Sequence, residues 1–354
     1  MSTILPGCVR ETLQRGVVIP AHPLALTSAR QLDERRQRAL SRYYIAAGAG
    51  GLAVGVHTTQ FAIRDVGLYK PVLQLAAEEM GRADERRDEP LIRVAGVCGP
   101  TAQAVGEATI ARELGYHAGL LNVTALRQEG TEALIAHCRA VAEVIPLFGF
   151  YLGACVGGGE LSYGFWRELV DVEALVAIKM APFDRYHTLD VMRAVVDGGR
   201  DDVALYTGND DNIVADLFTP YRLTDASGKQ VERRIVGGLL GHWAVWTQKA
   251  VELLDECHRN AKSDELPVEL LRRNIEVTDA NAAFFDAANN FAGCIPGILE
   301  VHRRQGLVEG TWCLDPEESL SQGQAAEIER IYRSYPHLND DAFVAQHRDE
   351  WLAG

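Results

Sequence analysis

Lys179 lies near the end of a run of small and branched apolar residues, Ala174-Leu-Val-Ala-Ile-Lys-Met-Ala-Pro182. An apolar run of this length, stopped by a proline, reads as a strand buried on both faces. Lysine is rarely fully buried without a partner, so its presence there needs a reason. In a dry site an ammonium loses its hydration and its pKa falls. It then becomes a neutral amine nucleophile near pH 7. That is the requirement for forming an imine with a carbonyl compound. The same residues also fit a strand-end lysine that snorkels to solvent or pairs with an acid.

Other chemistry-bearing side chains follow the remaining apolar runs. They are His22 and Thr27, then His57, Thr58, Thr59 and Gln60, then Asn122 and Thr124, then Tyr151, and finally Asn209, Asp210 and Asp211. Each alone has an ordinary structural explanation. A tyrosine ending a strand is usually a core phenol with a satisfied hydroxyl, and paired threonines after a strand often cap a helix. The set gains force only if one architecture brings all of these positions to one mouth.

The elements required to do so are legible. Eight strand signals fall at 16–27, 52–56, 91–97, 118–123, 146–151, 174–179, 203–207 and 234–240, nearly all followed by helical periodicity. Strands alternating with helices imply a parallel sheet. Eight such units imply a closed (β/α)8 TIM barrel, whose catalytic groups lie at the carboxyl ends of the strands. An open doubly wound sheet is the competitor, but no G-x-G-x-x-G follows the first strand. The expected organisation is an N-terminal extension at 1–15 and a barrel at 16–262. A hairpin-like insertion is expected at 219–233 and a helical C-terminal subdomain at 263–354.

Composition limits the partners. The chain has 354 residues, 47% of them hydrophobic, and a net charge of −14. That balance disfavours nucleic acid and anionic membranes. The seven cysteines are scattered and form no C-x-x-C pair, so neither a disulfide framework nor a zinc site is indicated. The first fifteen residues lack the apolar stretch of a signal peptide, and no run reaches the ~20 apolar residues of a membrane span. The expectation is a cytoplasmic globular protein with no metal.

Several segments together resemble the dihydrodipicolinate synthase and N-acetylneuraminate lyase family of Schiff-base aldolases. Gly48-Ala-Gly-Gly-Leu-Ala-Val-Gly-Val-His-Thr-Thr-Gln-Phe61 aligns without a gap on that family's Gly-x-x-Gly-(apolar)-Gly-Thr-Thr-Gly-Glu segment. Val94-Ala-Gly-Val97 resembles its third strand, Val176-Ala-Ile-Lys179 its imine-lysine signature, and Gly208-Asn209-Asp210 its Gly-(Asp/Asn)-Asp loop. Gly293 to Pro316 resembles its C-terminal helical region, with Ile295-Pro296 and Gly306-Leu307 in place.

The resemblance implies a lyase or aldolase, or a dehydratase, acting on a pyruvate-type 2-oxo acid or 2-oxo sugar acid through an imine on Lys179. Tyr151 and His57 would be its acid/base residues. Thr58, Thr59, Gly208 and Asn209 would bind the substrate. No external cofactor is implied, and the small-molecule substrate would be handled by a homo-oligomer, a dimer or tetramer.

There are departures. His57 stands for the family's first threonine, Thr58 for its second, Thr59 for its glycine and Gln60 for its glutamate. Leu152-Gly153-Ala154 replaces Asn-(Ile/Val)-Pro, and Cys155-Val156-Gly157 stands where dihydrodipicolinate synthase has an arginine. These argue against lysine biosynthesis as the role. They also motivate an alternative, an altered barrel that binds a metabolite as sensor or scaffold; a different barrel chemistry, for example a metal-assisted lyase using His22, His57 and Asp210, is a further one.

Overall fold

The computed structural model describes residues 4–154, 157–263 and 265–353. Cys155 and Val156, in the glycine-rich loop discussed above, lie outside the described residues. Eight parallel strands form one sheet: β1 (Val18–Pro20), β2 (Gly51–Val54), β3 (Ile92–Val97), β4 (Ala118–Leu121), β5 (Leu147–Leu152), β6 (Leu175–Ala181), β7 (Ala204–Thr207) and β10 (Gly237–Leu240). Their order is β1-β10-β7-β6-β5-β4-β3-β2. The bridge between Ala21 and Ala53 brings β1 back to β2, and the His22 N–H donates to the Ala53 carbonyl at 2.8 Å. The result is the closed (β/α)8 barrel expected from the alternation.

The surrounding helices are α1 (Gly7–Arg15), α2 (Glu34–Ala46), α3 (Tyr69–Asp84), α4 (Thr101–Glu113), α5 (Thr131–Ala142), α6 (Tyr163–Val170), α7 (Arg185–Asp197), α8 (Ile213–Phe218) and α9 (Thr247–Asn260). After them come α10 (Val268–Phe284), α11 (Cys294–Arg304), α12 (Gln324–Ser334) and α13 (Asp341–Ala353). Between β7 and β10, the strands β8 (Tyr221–Thr224) and β9 (Gln230–Arg233) pair antiparallel as a hairpin outside the barrel.

Burial on both faces explains the strand composition. β2, β4, β5, β6, β7 and β10 are buried at every position. One face of each strand packs under the helices and the other fills the lumen. Ile19, Val94, Leu120, Phe148, Phe150 and Val176 belong to the inner set. α1 seals the amino end of the barrel. Its Val9 and Leu13 join the inner core, and the Leu13 carbonyl accepts the Tyr206 hydroxyl at 2.9 Å.

One irregularity bears directly on the site. Leu147 of β5 pairs with Leu175 of β6, but the next pair is Phe148 with Ala177. β6 therefore carries one extra residue, a β-bulge at Val176. Beyond it, Phe150 pairs with Lys179 and Lys179 with Tyr206. Tyr151 pairs with Met180 and Met180 with Thr207. Residues paired across parallel strands share a face. The row Phe150–Lys179–Tyr206 faces the lumen, and the row Tyr151–Met180–Thr207 faces the helices.

Candidate active site

Lys179 sits where a barrel strand carries chemistry, at the carboxyl end of β6. It is only 8% exposed. Its amine lines a cavity of about 40 Å³, enough for several water-sized groups. His57, Thr58, Phe150, Phe183, Asp210 and Cys294 are among the other lining residues. The ammonium nitrogen lies 4.6 Å from the centre of the Phe150 ring. Burial lowers the lysine pKa, and the negative charge of Asp210 partly opposes that fall. Burial raises the Asp210 carboxyl, and Lys179 then pulls it back. The two groups are drawn from opposite ends of the pH scale toward each other.

Gly208 has a steric reason to be glycine. A Cβ there would lie 2.5 Å from Cε of Lys179 and 2.8 Å from Cβ of Ala181. The missing side chain is the channel through which the lysine stem reaches the mouth. Asp210 follows two residues later. Its N–H donates to the Gly208 carbonyl at 3.0 Å, and Oδ1 accepts the His242 backbone N–H at 3.0 Å.

β2 ends in a 3₁₀ turn over His57–Thr59. The His57 ring is on the cavity wall and packs against Phe61, with centroids 5.9 Å apart. Burial, reinforced by the charge of Lys179, pushes its pKa down to about 4, so the ring is neutral. The Thr58 hydroxyl donates to the Ala21 carbonyl at 2.7 Å. Thr58 therefore lines the cavity with its hydroxyl already committed. Within the turn, the Thr59 and Gln60 N–H groups are the ones that bond back, to Val56 and His57. The N–H groups of His57 and Thr58 open the turn and have no acceptor inside it.

Three of the expected site residues lie elsewhere. Tyr151 does not line the lysine cavity. Its ring stacks on Trp166 at 5.5 Å, in the helix-facing core, and its hydroxyl accepts the Leu161 N–H at 3.3 Å. The alternation of β5 turns Phe148, Phe150 and Leu152 inward and Tyr151 toward the helices, while the bulge at Val176 turns Lys179 of β6 inward, opposite Phe150. Thr59 does not reach the cavity either. Its hydroxyl donates to the His22 carbonyl at 2.6 Å and accepts the Gly55 N–H at 3.0 Å, tying β2 to the end of β1. Asn209 also points away. Its amide donates to Asp216 and Thr188, and its oxygen accepts the Phe183 N–H at 3.1 Å. Asn209 therefore acts on the cavity only through Phe183, which it holds.

His22 is fully buried beneath the mouth. Its ring nitrogens lie 2.8 Å from the Pro23 carbonyl and 2.9 Å from the Ser41 hydroxyl. Both are thereby engaged in packing β1 against α2. Among the described residues, no group of three or more His, Cys, Asp or Glu side chains is arranged to hold a metal ion.

Sequence reasoning missed the cover of the site. Phe285, just after α10, and Cys294, the first residue of α11, lie on the cavity wall, and Phe291 between them meets Phe183 at 5.9 Å. Gln60, Phe183, Asp286, Asn290 and Phe291 all have positive φ, between 52° and 67°. Such backbone is costly for non-glycine residues and persists where surrounding structure enforces it. A second hollow of about 220 Å³ adjoins the first, sharing Phe150 and Leu152. Its polar lining includes Asn122, Thr124, Arg127, Glu160 and Ser162.

No protein-family model matches the chain, and no curated protein matches it in sequence. Solved structures do match. Dihydrodipicolinate synthase from Oceanobacillus iheyensis superposes with a TM-score of 0.73 at 19% identity, over 93% of this chain and 99% of that one. This chain has the fold of those enzymes. N-acetylneuraminate lyase from Fusobacterium nucleatum gives a TM-score of 0.71 at 16% identity, over 92% of this chain and 99% of its own. A prophage protein of the dihydrodipicolinic acid synthase family from E. coli K12, in complex with pyruvate, gives 0.73 at 16%, over 90% and 98%. The similarity spans barrel and C-terminal helices alike, so the whole architecture around Lys179 is shared.

Proposed function

We propose that this protein is a Schiff-base-forming lyase of the aldolase or dehydratase type, acting on a 2-oxo acid through Lys179. The observation that carries the proposal is the buried amine of Lys179, opening into a small cavity at the carboxyl end of β6. Burial lowers its pKa, which raises the fraction present as free amine at neutral pH. The amine attacks the keto carbon, and loss of water gives a protonated imine. That cation is an electron sink for breaking the neighbouring C–C or C–H bond. The lysine itself forms the covalent link, so the reading needs no added cofactor.

The substrate carboxylate is assigned to the backbone N–H groups of His57 and Thr58, which open the turn on the cavity wall and have no acceptor inside it. The lysine cavity suits the small keto-acid end. The adjoining hollow, with Asn122, Thr124 and Arg127 on its wall, is assigned to the remainder of a larger hydroxylated acid. Among the described residues no helix is long and apolar enough to cross a membrane. The reading includes assembly as a dimer or tetramer. Val268, Leu271 and Ile275 support it, lying exposed on one side of α10 at 62%, 50% and 66%.

The test is reductive trapping. Incubation with pyruvate and borohydride is expected to add the reduced pyruvyl group to Lys179, read by peptide mass spectrometry. Lys179→Ala is expected to take up none. If pyruvate, glyoxylate and 2-oxobutyrate all leave the wild-type protein unmodified, the proposed function is wrong.

A further inference from the structure

Resting on the imine chemistry above, we infer that the proton carrier of this site is the carboxyl group of Asp210, doing the work that a phenol beside the lysine would otherwise do.

The lumen row that holds Lys179 has no available phenol. Phe150 stands on one side, with no ionisable group. Tyr206 stands on the other, but its hydroxyl donates to the Leu13 carbonyl at the amino end of the barrel. Tyr151 is on the helix-facing side of β5, stacked on Trp166. Among the described residues lining the lysine cavity, the ionisable side chains are His57, Lys179, Asp210 and Cys294. Each element packed around the cavity contributes at most one: β2 and its turn give His57, β6 gives Lys179, β7 gives Asp210, and α11 gives Cys294. His242, after β10, presents its backbone N–H to Asp210, and its ring is held neutral by burial, with a pKa of about 4. Asp211 is exposed and does not line the cavity.

Two of the four can be set aside. Cys294 is buried and its thiol is pushed well above its usual value of 9.0, so it neither gives nor takes a proton readily near neutrality. His57 is a neutral ring whose protonation is opposed by burial and by the lysine charge. Asp210 differs in placement. Gly208 brings the end of β7 against the lysine stem, and the carboxyl lies on the same cavity wall. Its Oδ1 is fixed by the His242 N–H. Oδ2 takes part in no hydrogen bond among the described residues.

The step balances with this pair alone. Lys179 enters as neutral amine and Asp210 as carboxylic acid. The nitrogen lone pair forms the C–N bond while the carbonyl π pair moves to oxygen. One proton leaves nitrogen and one reaches that oxygen, both through the carboxyl, giving the neutral carbinolamine. Asp210 then protonates the hydroxyl, the C–O bond breaks, water leaves, and the nitrogen lone pair closes the C=N bond. The products are protonated imine, water and Asp210 carboxylate.

The experiment is timed borohydride quenching of the pyruvate reaction, reading adduct on Lys179 across pH 5.5–9.5 in wild type, Asp210→Asn and Tyr151→Phe. The amide of Asp210→Asn keeps the acceptor for the His242 N–H. Asp210→Asn is expected to slow imine formation by roughly 10²- to 10⁴-fold, the usual range for a lost acid/base group. It is also expected to abolish the alkaline fall in rate expected of wild type, which a positioning role would not touch. Tyr151→Phe is expected to stay within about threefold of wild type. An Asp210→Asn rate within that same range, or a Tyr151→Phe rate as low as that expected of Asp210→Asn, overturns the inference while leaving the lyase reading intact. If Asp210→Asn does not fold, the wild-type profile and Tyr151→Phe decide: a rate without an alkaline limb refutes the role of Asp210. A wild-type protein that takes no adduct at all refutes both.

Discussion

At the scale of single residues, the site depends on what is absent beside Lys179 as much as on the lysine. Gly208→Ala would drive a methyl group into the Lys179 stem at 2.5 Å. Overpacking of this kind costs about 1–3 kcal/mol, so a urea melt should show a modest loss of stability. Adduct formation should fall much further, because the displaced stem carries the reacting nitrogen. The pH dependence of wild-type imine formation follows from the two shifts. The amine must be unprotonated, so the rate rises with pH through a lysine pKa lowered from its usual 10.5. The carboxyl must be protonated, so the rate falls with pH through an Asp210 pKa raised from its usual 3.8. Because burial moves the two toward each other, the optimum is expected near neutrality. A flat profile up to pH 9.5 would contradict it.

At the scale of elements, the β5–β6 pair is decisive. The ladder starts with Leu147 opposite Leu175 and, had it continued evenly, would have placed Tyr151 opposite Lys179. The extra residue on β6 substitutes Phe150 for Tyr151. Such a slip is invisible to pattern reading, since both faces of a parallel barrel strand are apolar and neither register exposes an error. The Gly208-Asn209-Asp210 segment shows the same lesson in a short loop. All three residue types were noticed, but their directions were not. Asn209 is spent on the hydrogen bonds that hold Asp216 and Phe183. Removing a buried amide strands its partners at a cost of about 1–3 kcal/mol. Asn209→Ala is accordingly expected to lower the melting temperature and to slow adduct formation indirectly. A variant as stable as wild type would show that this network is not structural.

At the scale of the whole molecule, the C-terminal helices are part of the site. Phe285 and Cys294 come from them and close the cavity that β6 and β7 open. Acid sensitivity is also a global property. His22 and His242, with pKa values near 4, and His302, near 3, are lowered mainly by burial. A histidine with a depressed folded pKa stabilises the fold above its unfolded value of 6.5 and loses that contribution as pH falls. Asp210 and Asp340 act in the opposite sense, since their raised carboxyls favour the folded state at low pH. Roughly 1 kcal/mol per buried ring is at stake by pH 5.5. A calorimetric melting temperature that drops between pH 7 and 5 is expected, and an unchanged one would argue against neutral buried rings.

By itself the sequence determined the barrel, the identity of the buried lysine and the approximate place of the mouth. Those depend on local signals: strand and helix periods, glycine and proline punctuation, and one charge in an apolar run. Tertiary structure alone decided which neighbours face that lysine. A side chain's direction depends on ladder register and on helices more than a hundred residues away. A single bulge in β6 was enough to put Lys179 on the opposite face from Tyr151, in a cavity it shares with Asp210.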